Sequence, residues 1–386
     1  MTAAAPSSMP MPAPAPGALA APLLRWFDRH RRDLPWRRRP SPYRTLVSEL
    51  MLQQTVVATV VPYFERFVAR FPDFAALAAA REEEVTALWS GLGYYARARH
   101  LRRAALAVVA QYGGALPSEE EALRALPGVG PYTAAAVAAI AFDRRAFALD
   151  GNGIRVLARL HAVRAPSNLP ATRAHLHRLG LALVPPTRAG DFNQAMMELG
   201  ALVCSPRAPS CDQCPVRAHC AGLAQGLALD ALPVKQPRPA RQQLRIACAV
   251  VQRRGRVLLV RRQPGELLAG TWALPSVVIA DGTPAVEAAR SAARASGAAV
   301  DDAGLAAARA LGRVRHVFTH RDLTAEVFAL TERAAGAARA AAAAPDQHRW
   351  VAPGELGELG ISSFTRKTLA AAGIGERKRD SRGKSA

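Results

Sequence analysis

Four cysteines, Cys204, Cys211, Cys214 and Cys220, share one short loop in the spacing Cys-x6-Cys-x2-Cys-x5-Cys. Four thiolates this close together make a closed metal site, and the spacing alone admits zinc or a 4Fe–4S cluster. Two carboxylates also stand out. Glu49 lies in Ser48-Glu49-Leu50-Met51-Leu52-Gln53-Gln54-Thr55, a largely apolar helical stretch. Turned inward there, its carboxyl would be raised in pKa by burial and hold a proton near neutral pH. Asp150 opens Asp150-Gly151-Asn152, just ahead of a helix over Ile154–Leu160. Between the two comes Leu126-Pro127-Gly128-Val129-Gly130-Pro131-Tyr132-Thr133. Gly128 and Gly130 around one valine suit a tight hairpin with positive backbone dihedrals, and Pro131 suits a first helical residue. Such a hairpin aims free N–H groups at an anion such as a phosphate.

These residues need a scaffold, and the chain has length for two domains. It has 386 residues, half of them apolar, and a formal net charge of +21 (51 basic, 30 acidic). That excess favours a polyanionic partner, nucleic acid first. The four lysines are Lys235, Lys367, Lys378 and Lys384, so no lysine nucleophile exists before residue 235. Residues 1–20 read as a disordered Ala/Pro/Ser tail, without the basic start and unbroken apolar core of a signal peptide. No apolar run is long enough to cross a membrane. The fifth cysteine, Cys248, alternates with apolar strand residues and reads as core. Disulfides do not suit this cysteine pattern, and a cytoplasmic protein is expected.

Regularly spaced helices without strand alternation fill the region up to residue 240, predicting an all-α domain over 21–221 with the metal loop at 204–220. Its basic stretch Arg31-Arg32-Asp33-Leu34-Pro35-Trp36-Arg37-Arg38-Arg39 sets an exposed-looking Leu34 and Trp36 among arginines such as Arg32. That pattern suits a surface that meets phosphates and stacks on bases. Gly91-Leu92-Gly93-Tyr94-Tyr95-Ala96-Arg97-Ala98-Arg99 offers close approach, stacking rings and phosphate-binding guanidiniums. Gln53 and Gln54 end their helix with amides able to read base edges. A Pro- and Arg-containing linker is expected over 222–243. Strands with one helix (Pro284–Ala295) then predict a smaller α+β domain over 244–370, followed by a basic tail over 371–386.

Taken together, these pieces resemble the adenine DNA glycosylases of the MutY family, within the helix-hairpin-helix glycosylase superfamily. The resemblance covers roughly residues 20–365 and rests on Leu34–Arg37, Ser48–Thr55, Gly91–Arg99, Leu126–Thr133, Asp150–Asn152 and the cysteine loop. It implies a helix-hairpin-helix domain with a 4Fe–4S loop, then a Nudix-like α+β domain. It implies a monomeric enzyme in a bacterial cytoplasm, associated with the nucleoid through DNA, that flips adenine out of duplex DNA opposite 8-oxoguanine or guanine and hydrolyses its N-glycosidic bond. Glu49 is then the general acid for the leaving base, and Asp150 the carboxylate that stabilises or captures the cationic sugar. Tyr132 and Asn152 support them, and Gln54 and Tyr94 fill or wedge the helix. In the related endonuclease III group a lysine occupies the position of Tyr132 and forms a Schiff base. Its replacement disfavours a lyase acting on oxidised pyrimidines and predicts a monofunctional enzyme. A DNA-binding relative without catalysis is disfavoured by the presence of both carboxylates.

In the C-terminal part, Gly270-Thr271-Trp272-Ala273-Leu274-Pro275 and Phe318-Thr319-His320 look like the Nudix-like module that recognises 8-oxoguanine, with Thr319 and His320 meeting the oxidised base. Thr319 departs from the serine many relatives carry there. Between Ala285 and Gly297 only Glu287 is acidic, so this module is expected to bind and not to hydrolyse nucleotides.

Overall fold

The computed structural model describes residues 16–237, 240–263, 265–296, 307–318, 320–331 and 347–375. The chain divides into two compact units, one of residues 1–78 and 103–238 and one of residues 79–102 and 239–386.

The first unit is helical throughout its described residues. Its helices are α1 (Pro16–His30), α2 (Pro35–Arg38), α3 (Pro42–Leu52), α4 (Val57–Arg70) and α5 (Phe74–Ala79, its last residue in the second unit). The second unit holds α6 (Glu82–Leu88) and the start of α7 (Ala96–Tyr112), which returns the chain to the first. There α8 (Glu120–Arg124), α9 (Pro131–Phe142), α10 (Gly151–Leu160), α11 (Pro170–Leu183), α12 (Ala189–Leu202) and the short α13 (Ala221–Ala224) follow.

Helix starts follow local chemistry. Ser41 caps α3 by accepting from the Arg44 N–H at 3.2 Å, Pro131 and Pro170 open α9 and α11, and Asp150 caps α10. Helix α9 is apolar all round, and Thr133 through Ala139 are buried. It is the central helix against which α3, α8 and α12 pack. Two expectations shift here. Helix α1 begins at Pro16, inside the stretch read as a tail, because Leu19, Leu23 and Phe27 share one apolar face and are buried. The stretch read as a linker folds back on the first unit for most of its length. Val234 accepts from the Ser167 N–H at 2.8 Å, and the Gln236 N–H donates to Asn168 at 2.9 Å.

The second unit is built on a sheet in the order β3 (Trp272–Ala273), β2 (Arg256–Arg261), β1 (Gln242–Arg253), β6 (Arg321–Thr331), β5 (Arg309–Val317), with β4 (Ser276–Val278) also on β1 and β7 (His348–Val351) on β2. Strands β1 and β6 run parallel, from Gln242 opposite Arg321 to Gln252 opposite Thr331. The others pair antiparallel. Residues 246–251 of β1 are all buried. Ile246, Cys248 and Val250 face a core shared with α15 (Ser363–Ala371), while Ala247, Ala249 and Val251 face α14 (Ala285–Ala295). An unbroken apolar run is what a strand covered on both faces requires. Cys248 is a core residue, 1 % exposed.

Helices α9 and α12 approach through Gly190. A Cβ there would lie 2.6 Å from the Ala139 carbonyl oxygen and 2.9 Å from the Ile140 Cα, both backbone atoms. Gly190→Ala is expected to cost about 1–3 kcal/mol by forcing the helices apart, read as a lowered denaturation midpoint.

Candidate active site

Glu49 sits on the inward face of α3 and is 6 % exposed. The Tyr132 hydroxyl, in the first turn of α9, donates to its Oε2 at 2.8 Å. Burial raises the Glu49 pKa to about 7, with the Asp150 charge adding to the effect and the Tyr132 hydrogen bond and Arg37 opposing it. Burial and the two neighbouring carboxylates hold the Tyr132 phenol well above its ordinary range, so it remains a donor.

Asp150 is also buried but receives more hydrogen-bond donors. As N-cap of α10 it accepts from the Gly153 N–H at 2.6 Å on Oδ1 and from Asn152 Nδ2 at 2.9 Å on Oδ2. Burial pushes its carboxyl up. The Gly153 and Asn152 donors and the Arg155 charge oppose this without cancelling it, so the carboxyl stays above its ordinary value while the helix N-terminus stabilises the ion that forms.

One open pocket of about 1320 Å³ brings together most residues the sequence singles out: Glu49, Asp150, Tyr132, Asn152, Arg32, Leu34, Trp36, Gln54, Gly128 and Gly130. The hairpin differs in detail from expectation. Gly128 has φ +79°, but Gly130 has φ −86° and serves as N-cap of α9. A Cβ on Gly130 or on Gly151 would meet nothing within 4 Å. The space above both backbones is free for a ligand to approach. Gln54, with φ +57°, is exposed at the rim, whereas Gln53 Nε2 donates to Thr133 Oγ1 at 3.1 Å and ties α3 to α9.

The basic stretch is less free than its composition suggests. Leu34 is buried, and Trp36 packs edge-on against Phe64 at 5.3 Å. Arg32 is held by Glu198 of α12, which is 1 % exposed and accepts from Arg32 Nε at 2.8 Å, Nη2 at 2.9 Å and the Arg32 N–H at 2.9 Å. Arg37 adds a contact at 3.3 Å. Burial alone would raise the Glu198 carboxyl, but these donors outweigh it and hold it below the usual range. Glu198 escapes the sequence reading, although Ala195-Met196-Met197-Glu198-Leu199 carries the signal that marks Glu49, an acid among apolar helical residues.

A second missed group links the pocket to the cysteine loop. A Cβ on Gly200 would fall 2.5 Å from the Asn152 Cβ, so glycine alone lets α12 pass this close. Arg155 donates to Asn152 Oδ1 at 2.8 Å, the Gly200 carbonyl at 2.7 Å and the Cys204 carbonyl at 2.8 Å. One turn on, Arg159 is 1 % exposed and donates to Cys204 Sγ at 3.3 Å and to the Ser205 and Pro206 carbonyls at 2.7 and 2.8 Å. Cys204, Cys211, Cys214 and Cys220 line one small cavity with Arg159 and Arg217. Among the described residues, no three His, Cys, Asp or Glu side chains converge as a single metal ion requires.

Tyr94 and His320 lie in the second unit, and both are exposed. Thr319 lies outside the described residues. Glu287 pairs with Arg290 on the same helix, α14.

The Glu49 carboxyl has a stability signature. Its folded value of about 7 lies above the ordinary value near 4.5, so the folded state holds the extra proton between the two and stability falls as pH rises across that window. Glu49→Gln should therefore gain stability relative to the native chain from pH 4.5 upward, reaching about 3 kcal/mol by pH 8. Denaturant unfolding of both proteins at pH 5 and pH 8 measures the difference.

Comparison with known proteins agrees with this arrangement. Residues 47–180 match the HhH-GPD superfamily base excision DNA repair protein model, and residues 246–371 match the NUDIX domain model. An adenine DNA glycosylase of Rattus norvegicus is 38 % identical over 90 % of this chain and 76 % of its own length. That of Homo sapiens is 36 % identical over 90 % of this chain and 72 % of its own length. A solved thermostable thymine-DNA glycosylase, 31 % identical, overlays 55 % of this chain and 97 % of itself with a TM-score of 0.50. The two matched regions, the paired carboxylates and the long relatives agree, and the chain belongs to the adenine DNA glycosylase family.

Proposed function

We propose that this glycosylase removes adenine paired with 8-oxoguanine or guanine in duplex DNA, leaving an abasic site without cutting the strand. The observation that carries the reading is the buried Glu49 carboxyl, hydrogen-bonded by Tyr132 and sharing one pocket with Asp150, where burial raises its pKa to about 7. Adenine leaves with the electron pair of its glycosidic bond only when a ring nitrogen is protonated, and Glu49 holds a proton at the pH where that is needed. The departing base leaves C1′ cationic. Asp150, anchored by Gly153 and Asn152, supplies the negative charge that stabilises or captures it until water adds to C1′. Trp36 and Leu34 give the flipped base an apolar wall.

Strand cleavage through a Schiff base needs an amine, and no lysine lines the pocket among the described residues. Tyr132 stands at the position in question, with its hydroxyl committed to Glu49. In the C-terminal unit, α14 contributes Glu287 alone toward a Nudix metal site, which favours recognition of 8-oxoguanine over hydrolysis. The protein would act as a monomer, in the cytoplasm of a bacterium, on chromosomal DNA.

The cysteine loop fits a 4Fe–4S cluster. All four cysteines line one cavity, and Arg159 and Arg217 flank it, able to offset the negative charge of a thiolate-bound cluster. Cys204, Cys211, Cys214 and Cys220 would hold it, and its chemistry here is structural, closing the loop against α10.

Base release from labelled duplexes tests the reading. Adenine should leave opposite 8-oxoguanine and guanine, with breaks appearing only after alkali, and release should fall as pH rises above about 7 as Glu49 loses its proton. Glu49→Gln should bind these duplexes and release no base. Release of an oxidised pyrimidine with direct breakage would contradict the assignment. The purified protein should be yellow-brown, with iron that accounts for its visible absorption. A colourless protein with stoichiometric zinc would contradict the cluster.

A further inference from the structure

Tyr94 is held in a way that its own energetics do not explain. It has φ +50°, a left-handed conformation unfavourable for a residue with a side chain, and its ring is 48 % exposed. Gly91 and Gly93, with φ +109° and +73°, bend the chain just before it. The surroundings impose this shape. The buried Arg97 guanidinium lies 5.5 Å from the Tyr94 ring and 5.5 Å from the Trp89 ring. Its Nη2 donates to the Leu92 and Gly93 carbonyls at 3.3 and 3.1 Å, and Trp89 Nε1 donates to the Gly93 carbonyl at 3.3 Å.

The loop is tied to the C-terminal residues through the Ile361 carbonyl, among other contacts. The buried Tyr95 hydroxyl donates to the Ile361 carbonyl at 2.6 Å and accepts from the Gly91 N–H at 3.3 Å. The Ser90 hydroxyl donates to the same carbonyl at 2.9 Å, and Arg366 Nη2 donates to Ser90 Oγ at 3.0 Å. Ile361 is fully buried and bridged to Trp272. Just beyond it, α15 carries Phe364. The Phe364 ring lies 5.8 Å from His316 and 6.4 Å from Phe318, at the end of β5 where the chain turns toward His320. Residues 361–364 therefore touch the Tyr94 loop on one side and the end of β5, at His316 and Phe318, on the other.

We propose that Tyr95, with Ser90, is a positioning residue that locks the Tyr94 wedge in register with the β5–β6 turn through the Ile361 carbonyl, so that recognition of the base opposite adenine is transmitted to insertion of Tyr94. This rests on the reading of Tyr94 as a wedge and of the β5–β6 turn as the 8-oxoguanine reader. Both hydroxyls are committed to the Ile361 carbonyl and act through the loop that carries Tyr94. They set how far a correct opposite base is converted into an opened duplex.

Tyr95→Phe removes the strongest bolt and keeps the ring. Single-turnover adenine release would be measured opposite 8-oxoguanine and opposite guanine, with 2-aminopurine beside the lesion reporting unstacking. The rate ratio between the two duplexes should fall roughly three- to tenfold, the effect of one lost buried hydrogen bond, and the 2-aminopurine enhancement on the 8-oxoguanine duplex should fall with it. Ser90→Ala should change both readouts in the same direction by less. Equal slowing on both duplexes with an unchanged ratio would mean a purely structural role and overturn the proposal. If Tyr95→Phe does not fold, an unchanged ratio and fluorescence in Ser90→Ala overturn it. Native protein that releases adenine without preferring 8-oxoguanine overturns it too, while leaving the glycosylase reading intact. Native protein that releases no adenine overturns both.

Discussion

Burying a carboxylate is far more costly than burying a carboxylic acid, and the glycosylase unit is arranged around that difference. Glu49 and Asp150 share one pocket and burial raises the pKa of both, so what separates them is the set of donors each receives. Glu49 receives a single donor, the Tyr132 hydroxyl, and its proton is retained by burial. Asp150 receives the N-terminus of α10 and the Asn152 amide, which favour the ion. The fold delivers this asymmetry with a helix for each carboxyl: α3 presents Glu49 from its buried interior, and α10 presents Asp150 from its capped end. The all-apolar α9 lies against α3 and carries Tyr132 between them.

The position of Asp150 depends in turn on what holds α10. Arg155 and Arg159 extend from its face to the Cys204 segment, and Arg155 also orients Asn152, which donates to Asp150. The cysteine loop is thus part of the support of Asp150. On the opposite wall, Glu198 does similar work with Arg32 and Arg37, holding the Leu34–Trp36 segment against α12 so that its apolar side chains line the pocket.

Much of this was legible in the sequence, for identifiable reasons. Pro131 and Asp150 announce helix starts by local stereochemistry, the cysteine spacing announces a closed loop, and an acid among leucines announces Glu49. What was not legible depends on distant partners. Arg32 reads as a surface cation until Glu198, 166 residues away, is placed beside it. Leu34 reads as exposed because its neighbours are charged. Gly190 and Gly200 are ordinary helix residues until the backbones they admit are known. Residues 222–236 have the composition of a linker, yet their backbone pairs with Ser167 and Asn168. The grouping of residues 79–102 with the C-terminal sheet has no local signal at all. It arises from hydrogen bonds such as that of the Tyr95 hydroxyl with Ile361, 266 residues on.

Adenine release by this site depends on the protonation state of Glu49 in the folded protein. Infrared difference spectra between the native chain and Glu49→Gln, recorded from pH 4.5 to 9 without DNA, isolate the C=O stretch of a protonated carboxyl at this position. The account requires that band to persist at pH 6 and to lose half its intensity near the pKa of about 7 that burial imposes. A band already lost at pH 5.5 would mean that Glu49 is an ordinary ionised carboxylate, and that the proton adenine needs comes from elsewhere.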